Sequence, residues 1–170
     1  MKVAFTGHRP EQLIGMDEKE LGDAIFREIA GCIEEGYDTF YCGAARGADI
    51  MCGECVAAMR EGSDLAVKLI CVIPFRDQAA GWGDWWKMRY WQLRRDADQN
   101  ILLSEAFSKG CFHARNRYMV DHADRIIAIY NGNGRGGTAC TVEYAKRKGR
   151  EIIIIHPKTM EKTVIPAWTK

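Results

Sequence analysis

Short apolar runs alternate along the chain with longer segments in which apolar residues recur every three or four positions. Most of the runs are almost continuously apolar, which is typical of parallel strands covered by helices on both faces. The runs are KVAFT, TFYC, VKLICVI, NILL, RIIAIY and EIIIIH. The pattern therefore predicts an α/β fold: a single Rossmann-like three-layer sandwich with a mainly parallel central sheet, formed as one domain by residues 1–170.

The helical segments have recognisable ends. The first begins with the capping-box pair Asp17 and Glu20. Thr138 is a plausible N-cap for the last of them. Three helices are predicted, each followed by a glycine: residues 17–35 before Gly36, 46–61 before Gly62, and 138–148 before Gly149.

The segment GWGDWWKMRYWQLRRDAD holds four of the five tryptophans among basic residues. One set of its apolar residues shares a helical face, which favours a core or subunit-interface stripe over a platform for single-stranded nucleic acid. That set is Trp82, Trp86, Tyr90, Leu93 and Ala97. Trp85 and Trp91 lie off this face, so they indicate a dimer contact or a ligand wall, and we expect a homodimer or higher oligomer.

Charge and composition narrow the classes of partner. The chain has 170 residues with 24 basic and 23 acidic side chains, so no overall field draws it to nucleic acid or to a membrane surface. No apolar run reaches the ~20 residues of a membrane span and no signal peptide is evident, so a cytoplasmic location is expected. Seven cysteines, including Cys52 and Cys55, are predicted to be reduced thiols, with no metal site.

The stretch NGNGRGGT follows the predicted strand RIIAIY and resembles a dinucleotide fingerprint. Gly132, Gly134 and Gly137 fit G-x-G-x-x-G, but the loop lies near the end of the chain. The acidic residue expected about 20 positions later falls in the tail HPKTMEK, where no strand is predicted to present Glu161 to a ribose. The loop is therefore interpreted as a phosphate cradle without the usual NAD arrangement. A P-loop pattern is absent from the sequence.

Three loops leave predicted parallel strands at the same edge of the sheet, where ligands of such folds bind. They are TGHRP, CGAARGAD and the glycine loop. Glycines permit close approach, arginines can clamp phosphate, Asp49 can bind a ribose hydroxyl, and His8 can donate a hydrogen bond or act as an acid. With an arginine from the segment HARNRYMVDHAD, the predicted ligand-binding residues are Thr6, Gly7, His8, Arg9, Gly43, Ala44, Arg46, Gly47, Asp49, Arg115, Gly136, Gly137 and Thr138.

These motifs together resemble a known family. TGHRP, GAARGAD, Pro74, Gln78, Trp82 and RNRYMVDHADRIIAIYNGNGRGGT are similar to the YpsA family of the SLOG superfamily, which includes DprA and the Lonely Guy phosphoribohydrolases. The resemblance implies a bacterial or phage protein that senses or sequesters a nucleotide-derived small molecule, such as an NAD- or ADP-ribose-like signal. It implies a nucleotide-type ligand and no required cofactor.

The Lonely Guy motif can be compared residue by residue. Arg115 and Met119 match its first element, and residues 136–138 match much of its second. Its glutamate has no match, because Thr141 stands at that position and Glu143 is rotated by about 200° on a helix. Binding is therefore favoured over N-glycoside hydrolysis, for which the candidate catalytic residues are Arg115, Glu143, Asp49 and Asp121. A third alternative is single-stranded DNA binding of the DprA type.

Overall fold

The computed structural model describes residues 1–61 and 63–168 and contains one seven-stranded sheet. Its strand order is β4-β3-β2-β1-β5-β6-β7, and every neighbouring pair is parallel except β6 and β7. The strands are β1 (Lys2–Gly7), β2 (Thr39–Cys42), β3 (Lys68–Ile73), β4 (Gln99–Leu102), β5 (Arg125–Ile129), β6 (Glu151–Ile155) and β7 (Lys162–Ile165).

Five α-helices cover the two faces of the sheet. One apolar cluster joins the first three helices to one face, and a second cluster joins the last two to the other. The helices are α1 (Glu18–Glu34), α2 (Ala48–Arg60), α3 (Asp84–Asp96), α4 (Cys111–His122) and α5 (Gly136–Arg147). The predicted three-layer α/β sandwich with a mainly parallel sheet is therefore confirmed.

The alternation of side chains in the central strands explains the two cores. In β1, Val3 and Phe5 pack under α1 and α2, whereas Ala4 points into the cluster beneath α4 and α5. Strand β5 repeats this alternation, with Ile127 on the first face and Ile126 on the second. Strands buried on both faces must be apolar at nearly every position, as these central strands are. All six predicted strands are found in the sheet.

Some predicted boundaries change in the structure. The seventh strand was missed: β7 is mostly exposed and pairs only with β6. The last helix begins at Gly136 with Arg135 as its N-cap, so the prediction of Thr138 as the N-cap was wrong. Thr138 instead belongs to the first turn, where its side chain is free to face the sheet edge. Gly62, predicted to end the second helix, lies outside the described residues.

The tryptophan-rich helix contributes one face to the core. Tyr90 and Leu93 are fully buried, and Trp82 and Trp86 pack against the same cluster. The stripe predicted from their spacing is therefore part of the core. Trp85 and Trp91 remain about half exposed on the outer side of α3. Within the described ranges, no helix combines the length and apolar character needed to cross a bilayer.

The turn before α2 packs directly on the loop that follows β1. Gly47 has φ +98°, and a Cβ there would lie 2.5 Å from the carbonyl oxygen of His8. The same carbonyl accepts a hydrogen bond of 3.1 Å from the amide of Ala48. Two strand-end loops are thus joined by backbone contact, which leaves no room for a side chain.

Replacing Gly47 with alanine tests this packing. We expect Gly47→Ala to lower the free energy of unfolding by about 2 kcal/mol or more, since the change adds both left-handed strain and a steric clash. Gly31→Ala is the matched control: it lies within α1 with nothing near its added Cβ, and should gain about 0.5–1 kcal/mol. Urea unfolding midpoints measure both, and equal effects of the two substitutions would contradict the packing described.

Candidate functional site

A cavity of about 330 Å³ opens at the carboxyl edge of the sheet, between the end of β1 and the first turns of α4 and α5. It lies at the switch point of the strand order, because the chain runs outward from β1 to β4 and then returns to place β5 on the other side of β1. Eight of the predicted ligand-binding residues line it: Thr6, Gly7, Arg9, Asp49, Arg115, Gly136, Gly137 and Thr138.

Arg115 reaches the cavity from the middle of α4 and is almost fully buried. Its Nη1 donates to the carbonyl oxygen of Gly43, and its Nε donates to Oδ1 of Asn116 at 2.7 Å. A Cβ on Gly43 would overlap the guanidinium group, so a side chain at this position would displace Arg115 from its place. Gly43 therefore seats the arginine and does not itself line the cavity.

Arg9 supplies a second cation from the loop after β1. Its guanidinium carbon lies 5.7 Å from the centroid of the Phe112 ring, which holds the side chain against α4. Burial lowers the pKa of Arg9 below its ordinary value, and the charge of Arg115 lowers it further, whereas Asp49 opposes both effects. The two arginines are therefore close enough to repel one another.

Asp49 lies at the base of the cavity in the first turn of α2. Its Oδ2 accepts a hydrogen bond of 2.9 Å from the amide of Ala45. Its Oδ1 is buried and has no hydrogen-bond partner among the described residues. Burial raises the pKa of this carboxyl above its ordinary value, although the nearby Arg115 acts in the opposite direction.

The N-terminus of α5 is the open wall of the cavity. The first amides of a helix have no acceptor within it, and no side chain of residues 1–61 or 63–168 caps this one. Gly136 and Gly137 have empty space where a Cβ would stand. Amides and the positive end of the helix dipole therefore face a volume that a ligand can fill.

The glycine loop before α5 is held in shape by its own asparagines. The amide of Asn133 donates to Oδ1 of Asn131 at 3.1 Å, and the amide of Arg135 donates to Oδ1 of Asn133 at 3.1 Å. Between them, the amide of Gly134 donates to the hydroxyl of Tyr130 at 2.6 Å. Successive side-chain turns of this kind fix a loop without any ligand.

His8 supports the same loop from behind. The amide of Asn131 donates to Nε2 of His8 at 3.0 Å, so that nitrogen is an acceptor and Nδ1 carries the proton. Nδ1 is 3.1 Å from Oε1 of Gln12, to which it donates. Both ring nitrogens therefore bind protein groups, and the ring lies beside the cavity without lining it.

The N-terminus of α2 is closed, in contrast to that of α5. Protein groups occupy it: the amide of Ala48 bonds the carbonyl of His8, and the Asp49 carboxylate bonds Ala45. Arg46 turns away from the cavity, with Nη2 at 3.3 Å from Oε1 of Glu11 and its guanidinium carbon 5.8 Å from the centroid of the Trp82 ring. The predicted residues that do not line the cavity are His8, Gly43, Ala44, Arg46 and Gly47.

The carboxylates predicted as candidate catalytic groups also divide into those that line the cavity and those that do not. Glu143 is exposed, pairs with Lys146 at 2.7 Å and lies outside the cavity, as its rotation on α5 predicts. Asp121 is also outside, where it accepts a hydrogen bond of 3.0 Å from the hydroxyl of Tyr144. Asp49 is the one acidic side chain lining the cavity in the described part of the chain.

Thr141 occupies the position at which a Lonely Guy enzyme has its glutamate. Its hydroxyl donates to the carbonyl of Gly137 at 2.8 Å and accepts from Nδ2 of Asn116 at 2.9 Å. Asn116 also bonds Arg115, so this neutral chain of hydrogen bonds links α5 to the buried arginine.

Further residues line the cavity that were not among the predicted ligand contacts. Half of them come from α4, and helical spacing from Arg115 would have indicated two of these, Phe112 and Met119. They are Phe5, Gln12, Ala45, Phe112, His113, Asn116, Met119 and Cys140.

Known proteins share this architecture. The structure of DNA processing protein A from Helicobacter pylori, described for its single-stranded DNA binding mode, superposes with a TM-score of 0.63 at 17% identity, covering 95% of this chain and 67% of that one. The SPbeta prophage-derived protein YoqJ of Bacillus subtilis (strain 168) is 30% identical over 153 residues, which are 81% of this chain and 88% of YoqJ.

A second group of relatives carries the name UPF0398 protein. The one from Bacillus thuringiensis (strain Al Hakam) is 26% identical over 156 residues, which are 86% of this chain and 83% of that protein. Residues 3–160 match the YpsA profile, which represents the YspA SLOG family, so the resemblance predicted from the sequence motifs is confirmed. The chain therefore belongs to the YspA SLOG family.

Proposed function

We propose that this protein binds the phosphate group of a nucleotide, or of a nucleotide-derived small molecule, in the cavity at the sheet edge. The observation that carries the proposal is the meeting of two arginines, Arg9 and Arg115, with the uncapped N-terminus of α5 around one open volume. Arginine forks and helix amides are the groups that proteins use to bind phosphate.

The electrostatics of the empty cavity favour an anion. Arg9 and Arg115 are both withdrawn from water and repel one another, and Asp49 balances only one of their two charges. A phosphate placed between the arginines and the amides of Gly137 and Thr138 would offset the repulsion and complete the hydrogen bonding of the helix end. Nε and one N–H of Nη1 of Arg115 already bond protein groups, so the N–H groups of Nη2 and the second N–H of Nη1 are left to meet the ligand.

Asp49 supports a nucleotide over inorganic phosphate. A buried carboxylate oxygen without a partner disfavours a second anionic group and favours a hydrogen-bond donor beside it. A ribose supplies such donors at a short distance from its phosphate. The cavity thus combines an anion site with an acceptor for a sugar hydroxyl, the combination that ribose phosphates require.

The role that follows is retention of a small nucleotide, as a sensor or a sequestering protein. The family relationship and the overall fold support this class of ligand. Single-stranded DNA is the ligand named for the Helicobacter pylori neighbour, but the net charge of +1 on this chain gives little general attraction for a polyanion. The proposed ligand is therefore a small molecule.

Removing one cation tests the phosphate site. We expect Arg9→Ala to weaken binding of AMP and ADP-ribose about tenfold or more, because a charge-assisted contact is lost. Arg27→Ala is the control, since Arg27 is exposed on α1 and does not line the cavity. Calorimetric titration measures both proteins, and equal affinities for the two variants would overturn the proposal.

A second variant fills the site without removing any contact. Gly137→Asp places a carboxylate at the open helix end, where an added Cβ has no atom of the described residues within 4 Å. The unfolding midpoint should hold or rise, since an acid in the first helical turn is favourable, while nucleotide binding is lost. Gly137→Ala controls for size and should keep most of the affinity.

Asp49→Asn separates stability from binding. Because burial raises the folded-state pKa of Asp49 above its unfolded value, the folded protein binds the extra proton, and this stabilisation is lost as pH rises through the raised pKa. We expect Asp49→Asn to be more stable than the parent at pH 7 and to lose that advantage in acid. Thermal unfolding from pH 3 to 8 measures this, while affinity for ribose phosphates should fall.

A second candidate function is cleavage of the N-glycosidic bond of a nucleoside monophosphate. The observation that favours it is the position of the Asp49 carboxyl in the same cavity as Arg115, together with the burial that raises its pKa; a carboxyl whose pKa is raised is a better general acid than an ordinary one. Incubation with AMP followed by chromatography distinguishes the two functions. Intact AMP supports retention, whereas free adenine that disappears with Asp49→Asn would establish the hydrolase.

A further inference from the structure

A second cavity, of about 620 Å³, lies in the groove between α4 and α5. His113, Asn116 and Cys140 line both this groove and the phosphate cavity, so the two volumes meet at the first turns of the helices. A ligand anchored by its phosphate at the N-terminus of α5 can therefore continue along the outer side of that helix.

The groove carries two arginines without acidic partners. Arg117 and Arg147 have their guanidinium carbons 5.4 Å and 5.7 Å from the centroid of the Tyr144 ring, and neither forms a salt bridge within the described residues. The acidic groups nearby are already neutralised. Glu143 pairs with Lys146 at 2.7 Å, and Asp121 pairs with Lys148 at 2.8 Å.

We propose that the ligand is a dinucleotide whose second nucleotide unit lies in this groove. The proposal rests on the phosphate site of the proposed function and names the class of molecule that fills it. The unpaired guanidinium groups offer a base a plane for stacking, and offer a base or a linking phosphate N–H donors. The ring of Tyr144, on which both guanidinium groups lie, is held in position because its hydroxyl donates to Asp121 at 3.0 Å.

The length of α5 sets the size of the ligand. At about 1.5 Å per residue, Tyr144 lies roughly 10 Å beyond Gly137 along the helix axis, and Arg147 roughly 15 Å. One phosphate cannot contact both the helix end and these side chains. A molecule with two nucleoside units joined through phosphate can, whether the link is a pyrophosphate or a phosphodiester.

The test compares affinities for one and two nucleotide units. We expect NAD, which has a pyrophosphate link, and the phosphodiester-linked dinucleotide pApA to be the ligands to compare, and at least one of them to bind about tenfold more tightly than AMP. The double variant Arg117→Ala/Arg147→Ala should reduce this ratio to about one without changing the affinity for AMP. Both side chains are exposed, so the fold should be unaffected, and Arg27→Ala is again the control. Comparing the affinities for NAD and pApA tells which linkage is recognised.

Each other outcome overturns the proposal in a distinguishable way. Equal affinity for AMP and every dinucleotide, or a ratio unchanged in the double variant, overturns the groove assignment and leaves the phosphate site standing. No binding of any nucleotide overturns both proposals. A double variant that changes the sedimentation of the protein while keeping the ratio would show that the groove is a contact between two copies of the chain.

Discussion

The site depends on the insertion of Arg115 over Gly43. The guanidinium group occupies the place that a Cβ would take and donates to the backbone there, which ties α4 to the loop that follows β2. Since α4 belongs to the opposite layer from α2, this one buried contact fixes the distance between the two layers at the sheet edge. The cavity is the volume left beside it, and the rotation of α4 that brings Arg115 inward also brings Asn116 and Phe112 to its wall.

The glycine-rich loops before α2 and before α5 differ in what surrounds them. Gly47 allows the turn before α2 to pack directly on the backbone of the loop after β1. The N-terminus of α2 is therefore hydrogen-bonded to the protein's own groups. Gly136 and Gly137 border empty space, so the first amides of α5 remain open to solvent or to a ligand. Similar sequence composition thus produces a structural joint in one loop and an open helix end in the other. The difference lies in what each loop faces across the sheet edge.

Most of the fold could be predicted from the sequence because a strand buried on both faces is almost continuously apolar, and each central strand shows this pattern in its own residues. Strand β7 was missed because it is exposed and exists only through its pairing with β6. Within the site, parallel topology was enough to bring Arg9, Asp49 and Gly137 together. It could not tell that Arg46 would turn toward Trp82 and Glu11, since that direction depends on residues far away in sequence.

The internally bonded glycine loop has a consequence for signalling. Its amides already donate to Asn131, Asn133 and Tyr130, so the loop keeps its shape without a ligand, and a ligand at the neighbouring helix end would spend little entropy on ordering it. A site that does not rearrange on binding gives no local conformational message to pass on. Any report that the proposed site is occupied would therefore have to come from the part of the bound ligand that remains at the surface.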